Sequence, residues 1–157
     1  MIEIRAATPE DLGQVSKLAA ELVRLHHRWD SKRFMLIEPL EQGYHRFFSS
    51  QLNDADVVLL VAVRAPTEIV GYVYGGLEAR NWNALLDRCG AIHDIHVEPS
   101  LRKQGVASKL IEAACAKLKS LGAPRVVLMS AQANAEGQRL FEKLGFRRTM
   151  VEMTREL

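Results

Sequence analysis

The sequence predicts a mixed α/β domain, and three patterns along the chain support this fold class. Stretches with apolar residues at helical spacing alternate with short runs rich in β-branched residues. Two of those runs, 56–64 and 68–77, flank a short proline-containing turn and predict an antiparallel hairpin. A third run, 90–97, leads through a glycine-containing turn into a helix. The 157 residues, of which 48% are hydrophobic, suit one domain, 1–157, with its own core.

The first third of the chain predicts one strand and two helices. Residues 2–5 alternate between apolar and charged types, as a half-buried strand does. Thr8 and Pro9 are typical of a helix N-cap and first turn, and an apolar stripe of helical period follows them. A break at 26–34 ends that stripe, and a second helix is expected at about 38–52.

The second half of the chain predicts further strands and helices in alternation. Glycines stop two of the helices, because glycine favours the left-handed backbone that follows a helix end. The predicted elements are a loop at 79–88, a strand at 90–97, a helix from the glycine turn to about 121, a strand at 125–130, a helix at 134–144 and a closing strand at 146–154.

Charge and cysteine content exclude several classes of partner. The formal net charge of +2 gives no strong field that would favour nucleic acid or a membrane as the main partner. The longest apolar runs, such as 57–63, are too short to cross a bilayer, and no signal peptide is recognisable. Cys89 and Cys115 form neither a disulfide framework nor a metal-binding pair, so we expect no metal and a cytoplasmic location.

The turn after the third run has the composition of a phosphate-binding cradle. Helix starts expose unpaired N–H groups and the positive end of the helix dipole, and no acidic residue lies between Ser100 and Leu110. Gly105 allows a ligand close to the backbone, while Arg102 and Lys103 add positive charge. The spacing matches neither GxxxxGK[ST] nor GxGxxG, which excludes the common nucleoside triphosphate and dinucleotide cradles.

Two segments of the chain resemble motifs of the GNAT superfamily of acyl-CoA-dependent N-acetyltransferases. Arg102-x-x-Gly105-x-Ala107 after a strand resembles Q/R-x-x-G-x-G/A, and the segment from Asn134 to Arg147 resembles N-x-x-A-x-x-[LF]-Y-x-x-x-G-F. The resemblance covers about residues 1–155. It implies a GNAT fold with a mostly antiparallel sheet of about six to seven strands, a splay between the fourth and fifth, and about four flanking helices.

The resemblance also implies that acetyl-CoA is the co-substrate. The turn would bind the coenzyme A pyrophosphate through backbone amides, and the preceding strand would pair with the pantetheine arm and direct the Val97 N–H at the thioester carbonyl. Asn134 would also contact pantetheine, although an asparagine at this place is equally typical of a helix N-cap. The implied cofactor-binding residues are Ile95, Val97, Arg102, Lys103, Gln104, Gly105, Val106, Ala107, Ser108, Asn134 and Phe141.

An acetyltransferase that acts on an amine needs a base, because an ammonium has no lone pair. A lysine-like amine is neutral in only about 1 of 2,500 molecules at pH 7, a deficit of ~4.6 kcal/mol. A histidine ordinarily titrates near neutral pH, and His93 lies where several small-amine members of the family carry a His or Glu. We expect His93 to be the base and Asp94 to orient it or to neutralise an ammonium; the alternative is a surface or merely packed histidine.

Strand alternation predicts which residues share a face with His93. It places His93 on one face with Ile95 and Val97, and Asp94 on the other face with His96. A β-bulge would turn either set toward the opposite face.

The chain departs from the family pattern at two positions. Ala91 stands where histone-type members carry a catalytic Glu, and Phe141 stands where a Tyr commonly protonates the leaving thiolate. Ser130, Tyr72 or Tyr74 could replace that acid, and the sequence does not choose among them.

The acceptor pocket is expected between the first two helices and around the third strand. The predicted acceptor-binding residues are Trp29, Asp30, Phe34, Tyr72 and Glu78, although the first three could equally join the two helices. The carboxylates favour a small cationic amine as acceptor. A protein or peptide acceptor, or a non-catalytic acyl-CoA-binding module, remains the alternative, and exposed strand edges would permit a homodimer.

Overall fold

The computed structural model describes all 157 residues and contains four α-helices and five β-strands. Short 3-10 turns at Pro9–Asp11 and Pro99–Leu101 precede two of the helices. No helix has both the length and the apolar character that a membrane span requires. The elements are β1 (Ile2–Ala6), α1 (Leu12–Trp29), α2 (Leu40–Gln51), β2 (Val57–Arg64), β3 (Glu68–Glu78), β4 (Cys89–Val97), α3 (Val106–Ser120), β5 (Val126–Leu128) and α4 (Ala135–Lys143).

The strands form one mixed sheet in the order β1-β2-β3-β4-β5. Neighbouring strands are antiparallel except β4 and β5, which are parallel. The β4–β5 pairing ends at Ile92 and Leu128, whereas β4 itself continues to Val97. Beyond Ile92, β4 therefore pairs with β3 alone.

The predicted mixed α/β class with four helices is confirmed, but the predicted number of strands is wrong. The sheet has five strands, because the segment 146–154, expected to close it, pairs with no other strand. A strand is defined by hydrogen bonds to a neighbour, and the backbone after Phe146 makes none. The segment thus has the composition of a strand but no strand partner in the same chain.

The two faces of the sheet carry separate apolar cores. Tyr72 of β3 and Phe48 of α2 are fully buried on the face that α1 and α2 cover. Leu110 and Leu118 of α3 are fully buried on the opposite face, together with Phe141 of α4. The hydrophobic stripe that predicts α1 is therefore the contact face of that helix.

A buried carboxylate joins β1 to the start of α1. Both guanidinium nitrogens of Arg5 donate to Asp11, at 2.6 and 2.9 Å, and the Thr8 N–H donates to the same carboxylate at 2.8 Å. The Asp11 side chain is 8% exposed, and the Arg5 hydrogen bond lowers its pKa. Thr8 begins the turn as predicted, but α1 itself starts at Leu12, after the 3-10 turn that Asp11 closes.

Asp11→Asn should lower the free energy of unfolding at neutral pH by about 1–3 kcal/mol, because charge-assisted hydrogen bonds of a buried group are lost. The folded-state pKa of Asp11 lies below its unfolded value. The stabilisation is therefore complete above about pH 3.9 and disappears as the pH falls toward the folded-state pKa. Urea unfolding of both proteins between pH 7 and pH 3 measures this difference. Glu3→Gln, at an exposed position of β1, is the control; a pH-independent difference for Asp11→Asn would contradict the interpretation.

Candidate active site

The turn between β4 and α3 presents a row of unpaired backbone N–H groups. Lys103 and Gly105 have positive φ angles of 61° and 79°, so the chain turns sharply before α3 begins. The first helical bond runs from the Lys109 N–H to the Gly105 carbonyl, at 3.1 Å. From Lys103 to Ser108, the backbone N–H groups donate to no acceptor in the protein. They form a concentrated set of donors at a helix N-terminus.

The space in front of this turn is open. A Cβ atom placed on Gly105 would have no other atom within 4 Å. The turn therefore has both the donors and the room that an anionic group requires. Arg102 extends alongside, with its Nε 3.4 Å from the Val97 carbonyl oxygen.

The last residues of β4 have a free backbone edge next to the turn. The Glu98 N–H donates to the Val70 carbonyl of β3 at 2.9 Å. In an antiparallel ladder the backbone groups alternate in direction, so those of Ile95 and Val97 point away from β3. That is the side where β5 has already ended. Ile95 therefore presents an unpaired N–H and C=O group on this side, and Val97 presents an unpaired N–H, since its carbonyl accepts the Arg102 Nε–H.

A β-bulge places His93 on a different face from the one that alternation predicts. Asp94 pairs with Tyr74 and Ile92 pairs with Gly75, which leaves His93 as the extra residue. The His93 ring lies 5.7 Å from the ring of Tyr74, on the side of the sheet covered by α1 and α2. His93 therefore shares a face with Asp94 rather than with Ile95 and Val97, because the bulge shifts the alternation by one residue.

His93 is paired with Glu78, the last residue of β3. Its Nε2 is hydrogen-bonded to the Glu78 carboxylate, and the two side chains are 42% and 46% exposed. A carboxylate at Nε2 favours the tautomer that carries its proton there and leaves Nδ1 as a free acceptor. Glu78, rather than Asp94, is the group that contacts the histidine directly.

Aromatic side chains of β3 and α2 lie beside His93, and sequence reasoning did not place them in the acceptor pocket. The Tyr74 hydroxyl donates to Gln51 of α2 at 3.2 Å. Phe47, which is 42% exposed, packs edge-on against the Tyr74 ring at 5.4 Å. The only sequence signal was the presence of aromatic residues in α2 and β3; their meeting depends on helix packing that the sequence does not reveal.

Asp94 lies on the same face of the sheet as His93 and accepts a hydrogen bond from Tyr72. The Tyr72 hydroxyl donates to Asp94 at 3.1 Å, and Tyr72 is completely buried. Burial raises the pKa of Tyr72 well above its ordinary value, so the hydroxyl keeps its proton and remains a donor. Burial also raises the pKa of Asp94, and the hydrogen bond from Tyr72 opposes that rise. Tyr72 therefore contacts Asp94 and has no surface open to an acceptor.

The other predicted acceptor residues join α1 to the loop that follows it. Trp29 and Phe34 pack edge-on against His26, with ring centroids 4.9 and 5.0 Å away. Asp30 accepts hydrogen bonds from the backbone N–H groups of Lys32 and Arg33. These contacts lie within the end of α1 and the loop that follows it, and none of them reaches α2.

A second buried titratable group lies along β4. His96 is 6% exposed, its Nε2 is 3.3 Å from the Glu21 carboxylate, and burial lowers its pKa. No group of three or more His, Cys, Asp or Glu side chains is arranged to hold a metal ion.

In α4, Asn134 accepts a hydrogen bond from the Gly137 N–H at 3.0 Å and so caps the helix. Phe141 is 7% exposed and packs against Phe146 at 6.2 Å. Phe141 thus belongs to the core, and it contributes no hydroxyl to the site.

Comparison with known proteins identifies a family for most of the chain. A model of the acetyltransferase (GNAT) family matches residues 21–146. No curated protein matches the chain. Solved structures that match along their whole length include an acetyltransferase from Trypanosoma brucei (25% identity, TM-score 0.73) and a transcriptional regulator from Bacillus halodurans (24%, 0.75), each with 100% of both chains covered. Aminoglycoside N-acetyltransferase AAC(6')-Iy in complex with CoA is 17% identical, with a TM-score of 0.82, and 100% of this chain and 95% of that one are covered.

Tyr72→Phe should raise the pKa of Asp94 further, because the hydroxyl stabilises the charged carboxylate and its loss leaves burial unopposed. Carbon-13 NMR titration of the Asp94 carboxyl group measures the shift. Tyr74→Phe is the matched control, since the Tyr74 hydroxyl bonds Gln51 instead. Equal effects of the two variants would contradict a specific Tyr72–Asp94 interaction.

Proposed function

We propose that this chain, which belongs to the acetyltransferase (GNAT) family, transfers the acetyl group of acetyl-CoA to a small cationic amine. The observation that carries the proposal is the uninterrupted row of free backbone N–H groups from Lys103 to Ser108, next to the free edge of β4. Together they offer donors for a pyrophosphate and a strand edge for an amide-containing chain. Coenzyme A has both groups in one molecule.

The cradle would hold the coenzyme A phosphates mainly through backbone donors. Gln104, Gly105, Val106, Ala107 and Ser108 supply N–H groups at the N-terminus of α3, where the helix dipole also favours negative charge. The side chains of Arg102 and Lys103 would add positive charge at the same place. Asn134 keeps its role as N-cap of α4, and its side-chain N–H₂ could still donate to pantetheine.

The backbone of Val97 would stabilise the charge that develops during transfer. Attack on a thioester carbonyl creates an oxyanion, and a donor fixed in advance can contribute ~3 kcal/mol to its stabilisation. The Val97 N–H has the direction this role requires, since it points away from β3 into the opening beside β4. The backbone of Ile95 points to the same side and would pair with pantetheine.

His93 would act as the base that makes the amine neutral. Glu78 holds Nε2, so Nδ1 can accept the proton from the attacking amine, and the carboxylate stabilises the imidazolium that results. The amine nitrogen bonds to the acetyl carbon, the carbon–sulfur bond breaks, and coenzyme A leaves as a thiolate. Phe141 cannot protonate that thiolate; thiols have pKa values near 8.5, so water can supply the proton.

The charges around His93 support a cationic acceptor. Glu78 and Asp94 bring two carboxyl groups to one face of the sheet, and Tyr74 and Phe47 provide aromatic surface for a carbon skeleton or a cation. The aminoglycoside N-acetyltransferase of similar fold acts, by its name, on aminoglycosides. Trp29 ends α1, Asp30 and Phe34 lie in the loop after it, and all three would border the acceptor from the other side.

Gly105→Glu should weaken acetyl-CoA binding by at least ~10-fold, or ~1.4 kcal/mol, because a carboxylate would project into the open space before the free N–H groups. Isothermal titration with acetyl-CoA measures the affinity. Gly145→Glu is a matched control, since Gly145 also has positive φ (93°) and open space around its Cβ position. Unchanged affinity in a folded Gly105→Glu protein would reject the cradle.

His93→Ala should lower kcat by ~10²–10⁴-fold, with acetyl-CoA affinity retained. Thiol release over a panel of small amines, lysine peptides and buffer alone gives the rate and the acceptor class. His45→Ala, at an exposed position of α2, is the control. A wild-type kcat in His93→Ala would remove His93 as the base, and binding without turnover on any amine would favour a non-catalytic module.

A further inference from the structure

Three polar side-chain atoms on the face of the sheet that α1 and α2 cover form no hydrogen bond within the protein. They are Oδ1 of Asp94 on β4, the hydroxyl of Tyr44 on α2 and Nε2 of His26 on α1. The hydrogen bond from Tyr72 goes to the other carboxylate oxygen of Asp94, Oδ2. All three residues are partly buried, and every fully buried side-chain nitrogen or oxygen atom of the chain has a partner. The three unpartnered atoms are therefore accessible to solvent.

The charge of Asp94 links these three groups. Tyr44 packs against Phe48 with ring centroids 5.5 Å apart. Phe48 packs in turn against Tyr72, whose hydroxyl bonds Asp94. Burial and then the negative charge of Asp94 raise the pKa of Tyr44 to about 12, so the Tyr44 hydroxyl keeps its proton. Burial also raises the pKa of Asp94, and positive charge on His26 is among the effects that oppose this rise. Tyr44 and His26 thus both lie within the range of the Asp94 charge.

His26 is held with Nε2 as a hydrogen-bond acceptor. Its Nδ1 lies 2.8 Å from the Leu22 carbonyl oxygen, which can only accept, so Nδ1 carries the ring proton and Nε2 keeps a lone pair. The rings of Trp29 and Phe34 pack edge-on against the imidazole at 4.9 and 5.0 Å and fix its orientation. His26 therefore presents an oriented acceptor atom rather than a donor.

Asp94 has no cation of the protein beside it. It forms no ion pair with a lysine or an arginine, and His93, its neighbour in the chain, is hydrogen-bonded to Glu78 instead. A carboxylate removed from water is usually paired with a cation. Together with His26 and Tyr44, Asp94 offers three acceptor atoms and one negative charge. A primary ammonium matches this set, because it has three N–H donors and one positive charge.

We propose that Asp94, Tyr44 and His26 form a second ammonium subsite beside His93, so that the acceptor of this chain is a diamine. This inference rests on the proposed acetyl transfer and narrows its substrate class. One amino group of the acceptor gives its proton to His93 and attacks the thioester, while the other stays charged and is bound by Asp94. A monoamine would leave three polar atoms without a partner, so the subsite selects diamines.

Acetyl transfer to amines of matched length tests the subsite. Thiol release is measured with the α,ω-diaminoalkanes from 1,3-diaminopropane to 1,6-diaminohexane and with the n-alkylamines of the same lengths. The best diamine should have a kcat/KM at least ~10-fold above that of its monoamine, because hydrogen bonds to a charged group are gained.

Two variants test the residues of the subsite. Tyr44→Phe and His26→Asn should each lower the diamine-to-monoamine ratio of kcat/KM by ~5-fold or more. Tyr44→Phe removes only the hydroxyl, and in His26→Asn the amide nitrogen can replace Nδ1 as the donor to Leu22 while no acceptor remains at the place of Nε2. A general loss of stability would lower both rates together and leave the ratio unchanged. His45→Asn, at an exposed position of α2, is the matched control and should keep the ratio.

The outcomes separate the subsite from acetyl transfer itself. Equal kcat/KM values for diamines and monoamines would overturn the subsite and leave acetyl transfer intact, and so would a diamine preference that both variants retain. If no amine is acetylated, acetyl transfer is rejected, and isothermal titration of 1,4-diaminobutane and n-butylamine in the presence of coenzyme A tests the subsite alone. Tighter binding of the diamine, weakened in both variants, would support the subsite, whereas equal or undetectable binding would overturn it.

Discussion

The short parallel pairing of β4 with β5 is the constraint on which the candidate site depends. Pairing stops at Ile92 and Leu128, yet β4 continues to Val97 with β3 as its one neighbour. Backbone groups in such an opening must find partners, and a ligand with its own amides can provide them. The chain then turns directly into the N-terminus of α3, so the free edge and the free helical donors are adjacent. One interruption of the sheet thus creates the backbone half of the candidate site.

The bulge in β4 supplies the side-chain half of the site. A Cβ on Gly75 would lie 2.1 Å from the Ala91 carbonyl oxygen, so this close approach of β3 and β4 requires glycine. The extra residue created there is His93, which the bulge directs toward Glu78 and Tyr74. Without the bulge, His93 would point into the core between the sheet and α3. Backbone geometry therefore decides which residue of the strand can meet an acceptor.

The sequence predicted the structural features that depend on local residue patterns, but it did not predict those that depend on pairing between distant segments. The hairpin, the stripe of α1 and the glycine turn before α3 were all predictable, because each is specified by residues close together in the chain. The His93–Glu78 contact depends on a register shift between distant segments, which no periodicity reveals. The prediction of a closing strand at 146–154 was wrong for a related reason. The composition of this segment favours a strand, but a strand also needs an edge to pair with.

The replacement of a family Tyr by Phe141 can be understood from the packing of α4. Phe141 is buried in the core beneath the sheet and contacts Phe146. A hydroxyl at this position would be costly to bury without a partner, whereas the phenyl ring adds apolar contact. Because thiolates are moderate bases, the transfer proposed for this chain can proceed without a proton donor at this position. Under the proposed function, chemistry at the thioester would rely on backbone donors and on His93, which β4 and the turn after it position.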